Sequence, residues 1–218
     1  MARTRLAPGA DVDATIAATL DAFRARNQAC TWWIMPSTRP ADLPARLEAH
    51  GFVRDAFEMP AMTVDLTTLP SEVPAPPELT VREVLDPLTL HLWLRAFVPG
   101  MDLPESVPAR WHPTRTSLGL GPGQPYRTWL GRLDGVPVAT AELFLAAGVA
   151  GIVNVSTVPE ARGQGIGGAV TLAPLREARR LGYRIGTLMA SAMGAPVYRR
   201  MGFTEVARFT RYEWAAPV

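Results

Sequence analysis

One cysteine, three histidines and no unbroken apolar run long enough to span a membrane set the first limits on this 218-residue chain. Cys30 alone permits no intrachain disulfide and gives a thiolate metal site no ligand set. His50, His91 and His112 fall at no metal-ligand spacing, so no metal is expected. Charge of one sign is also missing. Twenty-two basic against 20 acidic residues leave +2, which is no electrostatic footprint for nucleic acid. The greasiest stretch, residues 136–158, is broken by Pro137, Glu142, Gly148, Gly151 and Asn154, and reads as two buried strands around a turn. The N-terminus passes Arg3 and Arg5 and reaches Pro8-Gly9-Ala10-Asp11 without the apolar core of a secretory signal. A cytoplasmic protein is expected, engaging neither membrane nor nucleic acid.

What is present is apolar residue and punctuation. Hydrophobic residues make up 48% of the chain, enough for a sizeable core, and 21 prolines with 18 glycines call for many turns. Periodicity predicts helices over 11–27, where Ile16, Leu20 and Phe23 recur at helical steps, and over 42–50. Strands are expected over 31–35 and, with a bend near Met59-Pro60, over 52–66. Residues 69–77 hold Pro70, Pro74, Pro76 and Pro77, which no regular element accommodates. The expected division is therefore 1–68, a linker at 69–78, and 79–218.

Beyond the linker the pattern gives a strand at 79–84, a helix at 87–97 and a weak, proline-interrupted helix at 103–118. Strands at 126–133 and 136–145 flank Asp134-Gly135, a strong hairpin signal. Then follow a strand (151–158), a helix (167–181), a strand (184–190), a short helix (195–201) and one or two strands (203–214). The order helix, strand, short helix, Gly-Phe, strand over 11–66 repeats over 167–214. Gly51-Phe52 and Gly202-Phe203 occupy matching places, and Leu47 stands where the second copy has Tyr198. The echo reads as a duplicated half-domain, with chance repetition of ordinary α/β order as the alternative at this low identity.

The sharpest local feature is Val158-Pro159-Glu160-Ala161-Arg162-Gly163-Gln164-Gly165-Ile166-Gly167-Gly168 between a strand and a helix. Such a turn presents backbone N–H groups at a helix N-terminus, where the dipole favours an anion, and glycines let a ligand approach them. A phosphate-binding Walker loop fails because Ala169-Val170 replaces Lys-Ser/Thr. The dinucleotide spacing of Gly163, Gly165 and Gly168 lacks the acidic residue that should end the following strand. A tight strand-to-helix turn with no ligand is the remaining plain reading.

Residues 162–167 resemble the Q/R-x-x-G-x-G/A acetyl-CoA loop of the GNAT superfamily of N-acetyltransferases. Ser191-Ala-Met-Gly194-Ala-Pro-Val-Tyr198-Arg-Arg-Met-Gly202-Phe203 is similar to that family's late strand–helix–Gly-Phe segment. Together they cover about residues 79–218. The resemblance implies an α/β GNAT fold: a mixed, mostly antiparallel twisted sheet with helices on both faces and a splay between the fourth and fifth strands. Residues 1–68 then read as a degenerate half-domain without the glycine loop, ahead of a catalytic domain at 79–218.

The resemblance also implies acetyl-CoA as cosubstrate and a small-molecule or peptide amine as acceptor; a homodimer would be an ordinary assembly. The CoA pyrophosphate would rest on Arg162, Gly163, Gln164, Gly165, Ile166, Gly167 and Gly168, with Arg162 adding a charged fork. Pantetheine would run beside Thr157-Val158, and Ser191 takes a position that often holds asparagine. Tyr198 is the implied proton donor to the departing thiolate. No carboxylate stands on the 151–158 strand, where alternation leaves Ile152 and Asn154 near the middle. Asn154 can orient the substrate, and Glu142 on the preceding strand is the nearest candidate base, unless it simply faces outward. Trp93 and Phe97, four apart, read first as core. A non-catalytic acyl-CoA-binding protein is the alternative from a different class.

Overall fold

The computed structural model describes residues 4–7 and 9–215. Arg3 and Pro8 of the N-terminal segment, and the outermost ends of the two expected domains, lie outside them. In chain order the elements are α1 (Val12–Arg24), β1 (Cys30–Ile34), α2 (Leu43–Ala49), β2 (Val53–Arg54), β3 (Met59–Asp65) and β4 (Leu79–Glu83). There follow α3 (Pro87–Gly100), α4 (Val107–Ser117), β5 (Tyr126–Leu133), β6 (Val136–Ala146) and β7 (Val149–Thr157). The chain closes with α5 (Ile166–Arg180), β8 (Ile185–Met189), α6 (Ala195–Arg200) and β9 (Thr204–Trp214). Every expected helix and strand forms. The weak helix begins at Val107 rather than 103, with Pro108 in its first turn and Pro113 carried in its interior.

Two compact units result, one of residues 1–61 with 205–218 and the other of 62–204. The division differs from one made at the linker, because β9 pairs antiparallel with β1 and β2 and so joins the first unit. Its Tyr212 and Trp214 complete a core with Ile16, Leu20, Leu43, Leu47 and Phe52. Asp11 caps α1 through the Ala14 N–H, and Asp13 ties α1 to α2 by pairing with Arg46 and His50.

In the second unit the strands lie in the order β3-β8-β7-β6-β5-β4. Pairs β4–β5, β5–β6 and β6–β7 are antiparallel, and β7–β8 is parallel. Helix α3 covers one face, burying Leu90, Trp93, Leu94 and Phe97 against Val84 and Leu130. Trp93 and Phe97 stack at 4.5 Å, so the plain core reading of that pair holds. Helix α5 covers the other face, with Leu172 and Leu175 packed among Leu143, Ile152 and Leu188. Full burial of each such side chain contributes about 2 kcal/mol, which makes the two helix layers the main hold on the sheet.

The β7–β8 pairing runs only from Ala150–Gly186 to Ile152–Leu188. Beyond it β7 continues to Thr157 without β8 beside it, which is the splay between the fourth and fifth strands of the fold. At the same point the β6–β7 register shifts, with Thr140 opposite Ser156 and Glu142 opposite Val153. Asn154 is the extra residue, at φ +53°. The bulge corrects the simple alternation: Ile152 packs into the α5-side core, while Asn154 reaches Glu142 on the opposite face.

Candidate active site

The glycine loop lies where β7 runs out. A single 3-10 turn at Pro159–Ala161 leads to Gly163 at φ +78° and Gly165 at φ +81°, and Gly165 starts α5 without any side-chain cap. Only glycine enters these angles at little cost. The space around the three alternating glycines differs. A Cβ on Gly163 would meet nothing within 4 Å, and one on Gly167 only Thr157 Oγ1 at 3.7 Å. At Gly165 the space is taken by the carbonyl of Pro74. The linker runs along α5 here: Val73 rests against Gly168, and the carbonyl of Ser71 accepts from Arg176.

The Arg162 guanidinium does not extend beside the loop amides. Its Nε donates to the carbonyl of Thr157 at 3.1 Å and its Nη2 to that of Gly100 at 3.2 Å, so it clamps the end of β7 to α3. Ser191 is spent similarly: its hydroxyl accepts from the Gly194 N–H and its carbonyl from the Ala195 N–H, forming the turn into α6. Open backbone at Gly163 and Gly167, beside the splay, is what the loop offers a ligand. Pyrophosphate fits that chemistry, because amides at an uncapped helix start favour an anion.

Tyr198, on α6, is 7% exposed and lies in the α5-side core with Ile152, Leu188 and Ala190. Its hydroxyl lies toward Thr171 of α5, and burial pushes its pKa up to about 12. At neutral pH it is a protonated donor inside an apolar wall. This placement is the one the core reading gives.

Glu142 faces inward and is fully buried. Tyr126 Oη donates to its Oε2 at 2.7 Å, and Asn154 Nδ2 donates to the same oxygen. Thr128 Oγ1 donates to Oε1 at 3.1 Å, and Arg115 Nη2 pairs with that oxygen at 3.1 Å. Four donors satisfy both oxygens, so the charge is held in place of water. The Arg115 guanidinium, itself 6% exposed, also lies 4.1 Å over the Tyr126 ring. Beside this cluster opens a cleft of about 950 Å³, walled by Trp111, Arg110, Leu118, Tyr126 and Phe144. Asn154 and Glu142 are thus brought together, and Tyr126, Thr128 and Arg115 complete a group that sequence reasoning missed.

Among the described residues no helix is long and apolar enough to cross a membrane, and no cluster of three or more His, Cys, Asp or Glu could hold a metal.

Residues 124–205 match the acetyltransferase (GNAT) domain family. A GCN5-related N-acetyltransferase from Kribbella flavida superposes with a TM-score of 0.68 at 23% identity, over 94% of this chain and 76% of its own. One from Sphaerobacter thermophilus gives 0.67 at 23% identity, over 87% of this chain and 61% of its own, so this chain spans about three-fifths of that relative. A tandem GNAT protein of the clavulanic acid biosynthesis pathway gives 0.64 at 18% identity, over 94% and 70%. No curated protein matches this chain. The chain has the fold of the GCN5-related N-acetyltransferases, and the family's own sequence pattern lies across β5 to the start of β9.

Proposed function

We propose that the protein is an acyl-CoA-dependent N-acyltransferase that moves an acetyl group from acetyl-CoA to a primary amine of a small molecule or peptide. The observation that carries this reading is the uncapped, glycine-lined start of α5 beside the unpaired end of β7. A helix start gives the pyrophosphate its amides. The edge of β7 beyond Ile152, which β8 leaves unpaired, gives pantetheine a backbone partner on the way to Thr157-Val158, and the splay leads the thioester toward the cleft.

In this reading the amine nitrogen attacks the thioester carbonyl carbon, and the carbon–sulfur bond breaks. The sulfur takes the proton of Tyr198, which solvent then restores, and the ammonium proton of the product leaves to water. Because a thiolate leaves readily, Tyr198 speeds the step without being indispensable. Asn154 and Glu142 hold the amine side of the site. The loop residues Arg162, Gly163, Gln164, Gly165, Ile166, Gly167 and Gly168 serve cosubstrate binding, with Arg162 acting through its clamp on Thr157 and Ser191 through its turn. Residues 1–68 are a degenerate copy of the fold's second half. Supporting that, Gly51 and Gly202 both take positive φ, and the Phe52 N–H to Leu47 carbonyl bond repeats as Phe203 to Tyr198. The tandem architecture of the clavulanic acid protein offers a parallel.

A second reading, a non-catalytic acyl-CoA-binding protein, draws on Glu142 having both oxygens occupied and no exposure. Calorimetric titration of acetyl-CoA into wild type and Gly167→Asp tests both. An aspartate at that helix start is compatible with the fold and repels phosphate. Saturable binding lost in the variant, with thiol release when amines are added, is the expected result. Binding without thiol release selects the second reading, and no binding overturns both.

A further inference from the structure

We infer that Tyr126 is the seat of the acceptor amine, its phenolic oxygen accepting a hydrogen bond from the amine N–H in the cleft beside α4. The inference rests on the acetyltransferase reading and assigns a positioning role within it.

A phenol has a single proton to donate and two lone pairs. Tyr126 commits its proton to Glu142 Oε2 at 2.7 Å. Glu142 is wholly buried and already accepts from Asn154, Thr128 and Arg115, so it is a fixed anion that keeps the Tyr126 proton turned inward. Burial and the Glu142 charge both raise the pKa of Tyr126 above the ordinary tyrosine range, so the phenol stays neutral. Asn154 Nδ2 approaches one lone pair at 3.4 Å. One lone pair is left uncommitted, polarised by the carboxylate behind it, on a side chain that lines the cleft. Such a group receives donors and rejects acceptors.

The surroundings make that oxygen a fixed point. The Tyr126 ring is held between the Arg115 guanidinium, 4.1 Å from its centroid, and the Phe144 ring at 5.7 Å. Glu142 cannot take the amine's place, because no part of it reaches the cleft surface. The cross-strand pairing of Glu142 with Val153, where the splay begins, puts the cluster beside the open end of β7. The remaining walls, with Trp111, Val107, Leu118 and Phe144, favour an amine carried on an apolar or aromatic body.

The test is steady-state kinetics of the full chain with acetyl-CoA and 2-phenylethylamine, tryptamine and putrescine, comparing wild type with Tyr126→Phe. The variant keeps the ring and leaves Glu142 three donors, so it should fold. Expected is a rise of about tenfold in KM for the best amine, the size of one hydrogen bond, with KM for acetyl-CoA unchanged and a melting temperature lower by a few degrees, because the buried carboxylate loses one donor. An unchanged amine KM, or an equal rise for acetyl-CoA, would overturn the seat while leaving the acetyltransferase reading intact. Wild-type protein that binds acetyl-CoA but acetylates none of these or any wider set of primary amines would overturn that reading and the seat with it.

Discussion

The Pro74 carbonyl oxygen overhangs Gly165 so closely that a Cβ on the glycine would stand 1.9 Å from it. The linker backbone and the phosphate-type loop therefore fit together only through a missing side chain. Gly165→Ala should lose about 2–4 kcal/mol, combining a left-handed alanine with backbone overlap. Gly163→Ala, equally left-handed but facing open space, should lose only about 1 kcal/mol. Urea unfolding of both variants checks this, and equal losses would show that the linker yields freely.

Acid sensitivity should centre on Glu177. Arg180, and behind it Arg127, hold its carboxyl down to about 2. A lowered folded pKa contributes stability above the unfolded value of 4.5, which is lost as pH falls through about 2. Glu177→Gln should flatten the stability profile between pH 5 and 2 by about 1–2 kcal/mol, after allowance for solvent screening. Unfolding measured over that range would reveal an unchanged slope if the pairing contributes nothing.

Alkaline behaviour is unusually simple to read, because none of the 22 basic side chains is a lysine. Arginine stays charged to beyond pH 12, leaving the tyrosines as the main titrating side chains above pH 10. Tyr198 is held at about 12 by burial, so the unfolded chain releases that proton first. Stability then falls as pH rises from about 10 toward 12. Tyr198→Phe should fall less steeply, by about 1–2 kcal/mol at pH 11.5. Parallel curves for the two proteins would contradict the buried placement.

Removing one partner of a buried ion pair strands the other. Arg115→Met leaves Glu142 without its cation and should cost about 3 kcal/mol. Adding Glu142→Gln should restore at least half of that, since an amide needs no counter-charge. A double variant no more stable than the single one would mean that Arg115 acts through its packing on Tyr126 instead. Thermal unfolding of the three proteins separates these outcomes.

Much of this architecture could be read directly from residues, and the failures have specific causes. Gly and Pro punctuation located every helix and strand, and the loop at 162–167 forms the strand-to-helix turn expected of it. The amine side of the site was harder. Counting back from the Asp134-Gly135 turn puts Arg127 opposite Glu142. A register shift between Gly131 and Arg132 instead sets Thr128 there and turns Tyr126 and Thr128 toward the carboxylate. A second bulge, at Asn154, swings Ile152 away from the face that alternation assigns it. Bulges of one residue leave no periodic trace, so side-chain partners across strands were invisible where the strands themselves were plain. Arg115 was hidden by distance, since nothing local in a proline-broken helix marks it as the counter-ion of a strand 27 residues on.

The pairing of β9 with β1 and β2 has a consequence for synthesis on the ribosome. Ile16, Leu20, Leu43 and Leu47 are translated well before Tyr212 and Trp214, which complete their core. Residues 62–204 hold their own cores and can close as soon as they are made. The unit begun before residues 62–204 is therefore completed only after them. Its apolar face must wait through roughly 150 residues of elongation, on the order of 10 s at ordinary translation rates, before its final strand arrives.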